Sequence, residues 1–406
     1  MQTTLSDHAR HLPRAEEAER ILRSCVHCGF CNATCPTYQL LGDELDGPRG
    51  RIYLIKQVLE GQPVTPSTQL HLDRCLSCRN CESTCPSGVD YHNLLDIGRA
   101  VVDHAVARQP GQRLLRSGVR AVVTRPTLFK ALVRMGQTFR PLLPDALKTK
   151  LPAQLPPSKA RPTQQHTRHM LMLEGCVQPA LAPNTNAAAA RVLDRLGISV
   201  TAVKEAGCCG AVDYHLDAQA TGLDRARHNI DEWWPHLQQG AEAIVQTASG
   251  CGAFVKEYGK LLADDPAYAL KAAQVSLLAR DLVEVLAAEP LENLAVQPKS
   301  QRLAFHCPCT LQHAQKLGGA VESLLVRLGF HLSPVADGHL CCGSAGTYSI
   351  TQPQLSRELR DLRLNALESG KPDVIVTANV GCQSHLAGAG RTAVRHWIEV
   401  VEDGLG

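Results

Sequence analysis

Apolar positions change their period along this chain, and the change marks the elements. Leu114, Leu115, Val119, Val122 and Val123 recur at helical spacing with Arg113, Arg116 and Arg120 between them. Leu128, Leu132, Val133 and Phe139 continue the pattern beyond a break at Pro126. Further along, apolar residues gather in short unbroken runs, MLMLEG before Cys176 and RLAFH before Cys307, the length of buried strands. Each run leads into an amphipathic segment (NAAAARVLDRLG; GAVESLLVRLG), a second short strand and a Cys-Cys-Gly loop. A helix, another apolar run (AIVQTAS; VIVTAN) and a last helix complete each unit. Strands alternating with helices predict a parallel α/β sheet in each.

The two units are copies. Cys176 lies thirty-two positions before Cys208, and Cys309 lies thirty-two before Cys341. Cys208-Cys209-Gly210 is repeated as Cys341-Cys342-Gly343, at an offset of 133. TASGC, ending at Cys251, returns as TANVGC, ending at Cys382. Markers held at nearly one offset indicate an internal duplication. The third cysteine of each copy falls at a strand-to-helix turn, where open α/β sheets place their sites.

The N-terminal part has another pattern. CVHCGFCNATCP, from Cys25 to Pro36, returns as CLSCRNCESTCP, from Cys75 to Pro86. Cys-x2-Cys-x2-Cys-x3-Cys-Pro is the ferredoxin run for a [4Fe–4S] cluster. Three closely spaced thiols wrap one face of a cube, and the fourth is carried away to the other cluster. On this logic Cys25, Cys28, Cys31 and Cys85 hold one [4Fe–4S] cluster, and Cys75, Cys78, Cys81 and Cys35 hold the second. Zinc sites use separated Cys-x2-Cys pairs, which these runs are not. The Cys-Cys-Gly copies supply two further candidate metal or redox sites, Cys176, Cys208, Cys209 and Cys251 in one and Cys307, Cys309, Cys341, Cys342 and Cys382 in the other. Their competing reading is buried thiols acting as small apolar residues. The glycine after each pair suits positive φ and a close approach of the backbone to a bulky group. His27, His71, His92 and His306 lie beside cysteines at no ligand spacing, which leaves them at most a tuning role by hydrogen bonding.

Composition narrows the classes. The 406 residues are 44% hydrophobic and 20% charged with a net charge of +3, a soluble globular profile of several domains. Aromatics at 4% and the near-neutral charge argue against a nucleic-acid partner. Seventeen cysteines behind an N-terminus with no apolar signal core point to reduced thiols in a cytosolic setting. No apolar run reaches eighteen residues, so no spanning helix is expected. The charge is uneven: from Ala105 to Leu173 there are thirteen Lys or Arg against Asp145 alone. Such a run is either a solvated basic face or, with its apolar residues at helical spacing, a surface for an anionic membrane or an acidic partner. PLLPDALKTKLPAQLPPSKARP ends the segment as a proline-rich linker. The expected domains are 1–104, an α-rich two-cluster ferredoxin-type domain; 105–168, basic helices and linker; and 169–298 and 299–406, the tandem α/β Cys-Cys-Gly repeats. No dinucleotide fingerprint or P-loop occurs, so the chain has no evident way to take a hydride.

Two ferredoxin runs followed by two Cys-Cys-Gly repeats resemble the heterodisulfide-reductase-like family. The resemblance runs almost end to end, through CVHCGFCNATCPTYQLLGDELDGPRGRIYLIKQVLEG, HLDRCLSCRNCESTCPSGVDYHNLLDIGRA, EAGCCGAVDYH, FHCPCTLQHAQKL and LCCGSAGTYS. Within that family the chain is most similar to the iron–sulfur subunits of bacterial glycolate dehydrogenases. The resemblance implies electron relay from two partner flavoprotein-type subunits, which carry the flavin, to membrane quinone, at the cytoplasmic face of the inner membrane. Lactate and glycerol-3-phosphate dehydrogenase subunits, and a thiol–disulfide reductase, are the alternatives. One departure bears on the Cys-Cys-Gly sites. Cys251 and Cys382 stand alone where the reductase-type unit ends in Cys-x2-Cys.

Overall fold

The computed structural model describes residues 1–142 and 158–405. Most of the proline-rich linker, with Asp145, lies outside the described residues. The chain forms two compact units, Met1–Ser117 with His339–Arg363, and Gly118–Gly338 with Leu364–Gly406.

The first unit is helical. Ala15–Ser24, Pro48–Leu59 and Tyr91–Ala105 are its long helices. Ala18, Ile21 and Leu22 repeat at helical spacing and meet Ile52, Ile55, Leu59, Leu94, Leu95 and Val102 in one core. Gly98 lets two of these helices touch: a Cβ there would stand 2.6 Å from Ile55 Cγ1. That contact fixes the face of Pro48–Leu59 that carries Arg51 and Ile52.

The second unit holds two four-stranded parallel sheets. Strands β1 (Arg168–Met172), β2 (Ile198–Ala202), β3 (Ile244–Gln246) and β4 (Ala279–Asp281) run in the order β2-β1-β3-β4. Strands β5 (Arg302–His306), β6 (His331–Leu332), β7 (Val374–Thr377) and β8 (Ala393–His396) repeat it as β6-β5-β7-β8. Identical order in both sheets is the duplication expressed as topology. The copies share one core. The helix Thr185–Arg195 of the first packs on Trp397–Asp403 of the second, and Leu282–Ala287 of the first on Ala320–Arg327 of the second. Ala188, Leu193, Val283, Leu324, Trp397 and Val401 lie in it, all but excluded from solvent. The first copy alone inserts a helix, Ala269–Leu278, before its fourth strand.

The fourth strands end at equivalent buried N-caps of opposite chemistry. Asp281 accepts the Val283 N–H at 3.2 Å, and Glu284 reaches back to the Asp281 N–H. His396 Nδ1 accepts the Ile398 N–H at 3.3 Å, and Nε2 donates to the Thr247 carbonyl at 2.9 Å. Burial pushes the Asp281 carboxyl up to about 7 and holds His396 down at about 4. The raised acid gives stability that is lost as pH rises from about 4 through 7. The depressed histidine gives stability that is lost as pH falls from about 6.5 through 4. At about 1.4 kcal/mol per pH unit, each is worth roughly 3–4 kcal/mol, and they oppose each other. Asp281→Asn should therefore lose stability relative to wild type as pH falls from 7.5 to 5, and His396→Asn should gain it. Urea denaturation at both pH values checks the two signs.

The basic segment forms helices Pro110–Val123 and Pro126–Thr138, broken where the sequence reading placed the break. Its charge is less free than the segment alone suggested, because acids distant in sequence pair with it. Arg108 bonds Asp73 at 2.6 Å and Asp103 at 2.7 Å, and Arg116 bonds Asp73 at 2.9 Å. Arg120 meets Asp213 at 2.9 Å, and Arg225 shares that carboxylate. Arg113, Arg125, Lys130 and Arg134 are exposed. No helix among the described residues is long and apolar enough to cross a membrane.

Candidate metal centres and thiol site

Local turns set the spacing of the eight N-terminal cysteines. Cys25 leaves the helix Ala15–Ser24 in an extended conformation. Gly29, at φ +88°, then starts the short helix Phe30–Ala33 that carries Cys31. A Cβ on Gly29 would stand 2.6 Å from the Arg49 guanidinium. Cys35 follows in an extended conformation, φ −81° and ψ 117°, and Pro36 opens the next helix. The second run repeats this: Arg79 at φ 62°, the helix Asn80–Thr84 with Cys81, then extended Cys85 at φ −75° and ψ 114°. The extended fourth cysteine is what carries each motif's last thiol away from its first three.

The two motifs meet at equivalent residues. Thr34 Oγ1 and Thr84 Oγ1 lie 3.1 Å apart, and Asn80 Nδ2 donates to the Thr34 carbonyl at 2.8 Å. A cleft of about 430 Å³, counted to its open mouth, is lined by Cys25, Cys28, Cys31, Cys81 and Cys85. Burial pushes the Cys31 thiol up to about 11, and the charges that add to this are those of Cys25, Cys85 and Cys28. Burial likewise pushes Cys81 well up, and its thiol neighbours are Cys78, Cys75 and Cys35. Proximity thus gathers the eight thiols into two quartets, each with one member from the other motif. Soft thiols clustered around an apolar cleft walled by Pro48, Ile52 and Val89 are a donor set that fits an iron–sulfur cube. Thiols held protonated by burial release protons when such a group binds. Cys28 is exposed, whereas Cys35, Cys75 and Cys81 are buried.

The first Cys-Cys-Gly site lies within the second unit. In a β2-β1-β3-β4 sheet the switch point is between β1 and β3. Cys176 follows β1, and Cys251 stands in the first turn of the helix Ser249–Leu261 after β3. The loop after β2 brings Cys208 and Cys209 to them. Asn229 donates to the Cys208 carbonyl at 3.0 Å and Tyr258 to the Cys209 carbonyl at 2.6 Å, which fixes the loop. Cys176 and Cys209 hydrogen-bond to Cys208, and the Gly210 N–H and the Arg225 charge assist, so the Cys208 thiol is held well below the usual range. Cys176 and Cys209 are pushed up correspondingly, chiefly by their hydrogen bonds to Cys208, and Cys209 also bonds Cys251. Four thiols sharing one preferred thiolate can bind a soft metal or do disulfide chemistry.

The Cys-Cys-Gly glycines do have positive φ, +98° at Gly210 and +84° at Gly343. The close approach they allow is to backbone: a Cβ would stand 2.4 Å from the Gly222 carbonyl in one copy and 2.6 Å from that of Ser356 in the other. In the second copy Cys307, Cys309 and Cys382 belong to the second unit, and Cys341 and Cys342 to the segment that packs in the first. A ring nitrogen of His306, at the end of β5, lies within 4.8 Å of Cys382 Sγ, a proximity the sequence spacing did not suggest. Tyr348, after the second Cys-Cys-Gly loop, donates to the Arg74 carbonyl at 3.1 Å.

Sequence reasoning also missed Arg51. Its side chain is 1% exposed and hydrogen-bonds the His71 carbonyl at 2.7 Å, Thr37 Oγ1 at 3.1 Å and Asp46 Oδ1 at 3.4 Å. A signal existed: Arg51 shares the i, i+4, i+8 stripe of Ile55 and Leu59, a core position for a charge.

Two thiol quartets in a helical unit, joined to a duplicated parallel-sheet unit with clustered thiols, define an iron–sulfur protein with a ferredoxin-type segment and paired cysteine-rich repeats. The comparisons agree: residues 21–89 match the 4Fe-4S dicluster domain, and residues 170–256 and 303–387 match the Cysteine-rich domain. The chain is 68% identical over 405 residues to the glycolate oxidase iron-sulfur subunit of Escherichia coli (strain K12), covering 100% of this chain and 99% of that one. It therefore belongs to the glycolate oxidase iron–sulfur subunit family. A probable glycolate oxidase iron-sulfur subunit of Bacillus subtilis (strain 168) is 30% identical, over 91% of this chain and 88% of that protein. Lactate utilization protein A of Shouchella clausii (strain KSM-K16) is 25% identical, over 52% of this chain and 87% of its own length. In fold alone, the chain resembles a hypothetical protein from Helicobacter pylori, with a TM-score of 0.54 at 9% identity, over 98% of this chain and 74% of that one.

Proposed function

We propose that this chain is the electron-transfer subunit of a flavin-linked glycolate dehydrogenase complex. It takes electrons from two partner flavoprotein-type subunits that oxidise glycolate to glyoxylate, and passes them to membrane quinone. The observation that carries this reading is the sorting of eight N-terminal thiols into two quartets, in a chain of the glycolate oxidase iron–sulfur subunit family. Cys25, Cys28, Cys31 and Cys85 hold one [4Fe–4S] cluster, and Cys75, Cys78, Cys81 and Cys35 hold the other. The clusters supply one-electron carriers when bound. The chain's own residues wall them with apolar groups and direct hydroxyl and amide donors at the thiols. The quartet of Cys176, Cys208, Cys209 and Cys251 is a third metal or redox site of the relay. About eight irons per chain corresponds to the two cubes alone, and clearly more means that the Cys-Cys-Gly sites are filled.

The test is turnover with and without partners. Anaerobically purified, cluster-loaded protein should not oxidise glycolate with an artificial acceptor. Addition of the flavoprotein subunits should restore oxidation and bleach the cluster absorbance on glycolate addition. Turnover by the chain alone would move the active site onto it and end the relay reading.

A further inference from the structure

Arg51 does not stand alone. Asp46, fully buried, receives Arg51 at 3.4 Å, Arg74 at 2.9 Å and His71 Nδ1 at 3.1 Å. Two guanidiniums thus face one carboxylate, and at least one positive charge is left over. The network touches the second thiol quartet at two cysteines. Thr37 Oγ1, which accepts from Arg51, lies 3.3 Å from Cys35 Sγ. At Cys75, the sulfur accepts from the Tyr91 hydroxyl at 3.6 Å and the Ser77 N–H at 3.4 Å, while Arg99 holds its carbonyl at 2.9 Å. Arg74, the residue before Cys75, has a buried Nε with no protein acceptor. Burial works against the charge on Arg51, and Cys75, Cys35 and Asp46 beside it act in that charge's favour.

The first quartet has a different setting. The guanidinium beside it, Arg49, is neutralised by Glu44 at 2.6 and 3.0 Å. Arg79, on the second motif, is likewise matched by Glu82 at 2.8 Å. The uncompensated cation is therefore particular to the buried side of the second quartet. An electron added to four thiolates and a metal core in a dry site increases a negative charge that solvent cannot screen. Net charge and hydrogen bonds to sulfur are what set the potential of such a site.

We propose that Arg51 is the buried counter-charge of the second quartet, and that with Asp46 it sets how readily the group held by Cys75, Cys78, Cys81 and Cys35 is reduced. Arg51 acts through charge and through Thr37, as a positioning residue. The proposal rests on the crossed ligand sets.

The experiment is an EPR-monitored redox titration of the anaerobically purified complex. The signal of the second quartet is identified by its disappearance in Cys35→Ser. Arg51→Met should lower the reduction equilibrium constant of that cluster at least tenfold, about 59 mV for one electron. The other cluster should move by less than half as much, and Arg51→Lys should recover most of the shift. Asp46→Asn, which nearly preserves shape, should move the same signal the opposite way. A merely structural role for the network gives no opposed signs. Equal shifts of both clusters, an unmoved second cluster, or a downward shift in Asp46→Asn would each overturn the proposal. If Arg51→Met does not load its clusters, the sign in Asp46→Asn still decides. Fewer than two cube signals in the wild type would instead fault the ligand sets, a separate outcome.

Discussion

Replacing Cys35 by serine should abolish the cluster held by Cys75, Cys78 and Cys81, and leave intact the one nearest Cys35 in sequence. The reason is the backbone of the fourth cysteine. In both motifs it leaves the short helix in an extended conformation; the proline behind it opens the next helix at Pro36 and a turn at Pro86. With Thr34 and Thr84 in contact, each fourth thiol then faces the other motif. The neighbours that raise Cys81 include Cys35, and those that raise Cys31 include Cys85. Serine offers a harder oxygen in place of a thiolate, which iron–sulfur sites bind poorly. Iron content should fall by about half relative to two cubes, and the EPR signal that remains should be the one that Cys85→Ser removes. Loss of the same signal in both variants would place Cys35 and Cys85 on one cluster and overturn the assignment. Loss of the Cys25, Cys28 and Cys31 cluster in Cys35→Ser would assign all four ligands to one motif.

The sequence made these cysteines legible because their chemistry is written in local spacing. The sheets were legible for a related reason. A run such as VIVTAN is buried on both faces, and few alternatives suit it. The fourth strands were not. Ala279–Asp281 and Ala393–His396 are three and four residues long and contain Arg280 and Arg395, so they carry no apolar signature. Pairing over long separations was equally hidden. Arg120 finds Asp213 ninety-three positions away, and composition read that arginine as part of an unbalanced segment. Arg51 was missed because it was read inside a motif-rich stretch rather than as a charge on a core stripe. His306 was set aside because sequence spacing cannot reveal that the ends of β5 and β7, paired through His306 and Thr377, bring it to Cys382.

Those internal pairs change which residues can test membrane attachment. Replacing Arg116 or Arg120 would break ion pairs to Asp73 or Asp213 and confound folding with binding. The helix Pro126–Thr138 is the cleaner probe. Leu128, Leu132 and Met135 share one stripe of it, Phe139 and Leu142 follow beyond its end, and the five are 39%, 37%, 54%, 54% and 82% exposed. Arg125, Lys130 and Arg134 stand exposed beside them. An apolar stripe flanked by cations suits the headgroup boundary of an anionic bilayer, the surface that the proposed relay to quinone would use. Each basic residue near such a surface is worth about 1 kcal/mol, so removing two costs about 2 kcal/mol, roughly 30-fold in binding. Reversal to glutamate costs more, because repulsion replaces attraction. Lys130→Glu with Arg134→Glu should therefore release the protein from vesicles rich in phosphatidylglycerol, with cluster absorbance unchanged. Leu132→Ser with Met135→Ser should weaken binding further and make the remainder more sensitive to salt, because the apolar share of the attachment is gone. Flotation with anionic and with neutral vesicles reads both effects. Equal flotation of the wild type and both double variants would mean that this stripe does not meet the bilayer. A partner pull-down lost in the variants while flotation persists would assign it to a flavoprotein subunit.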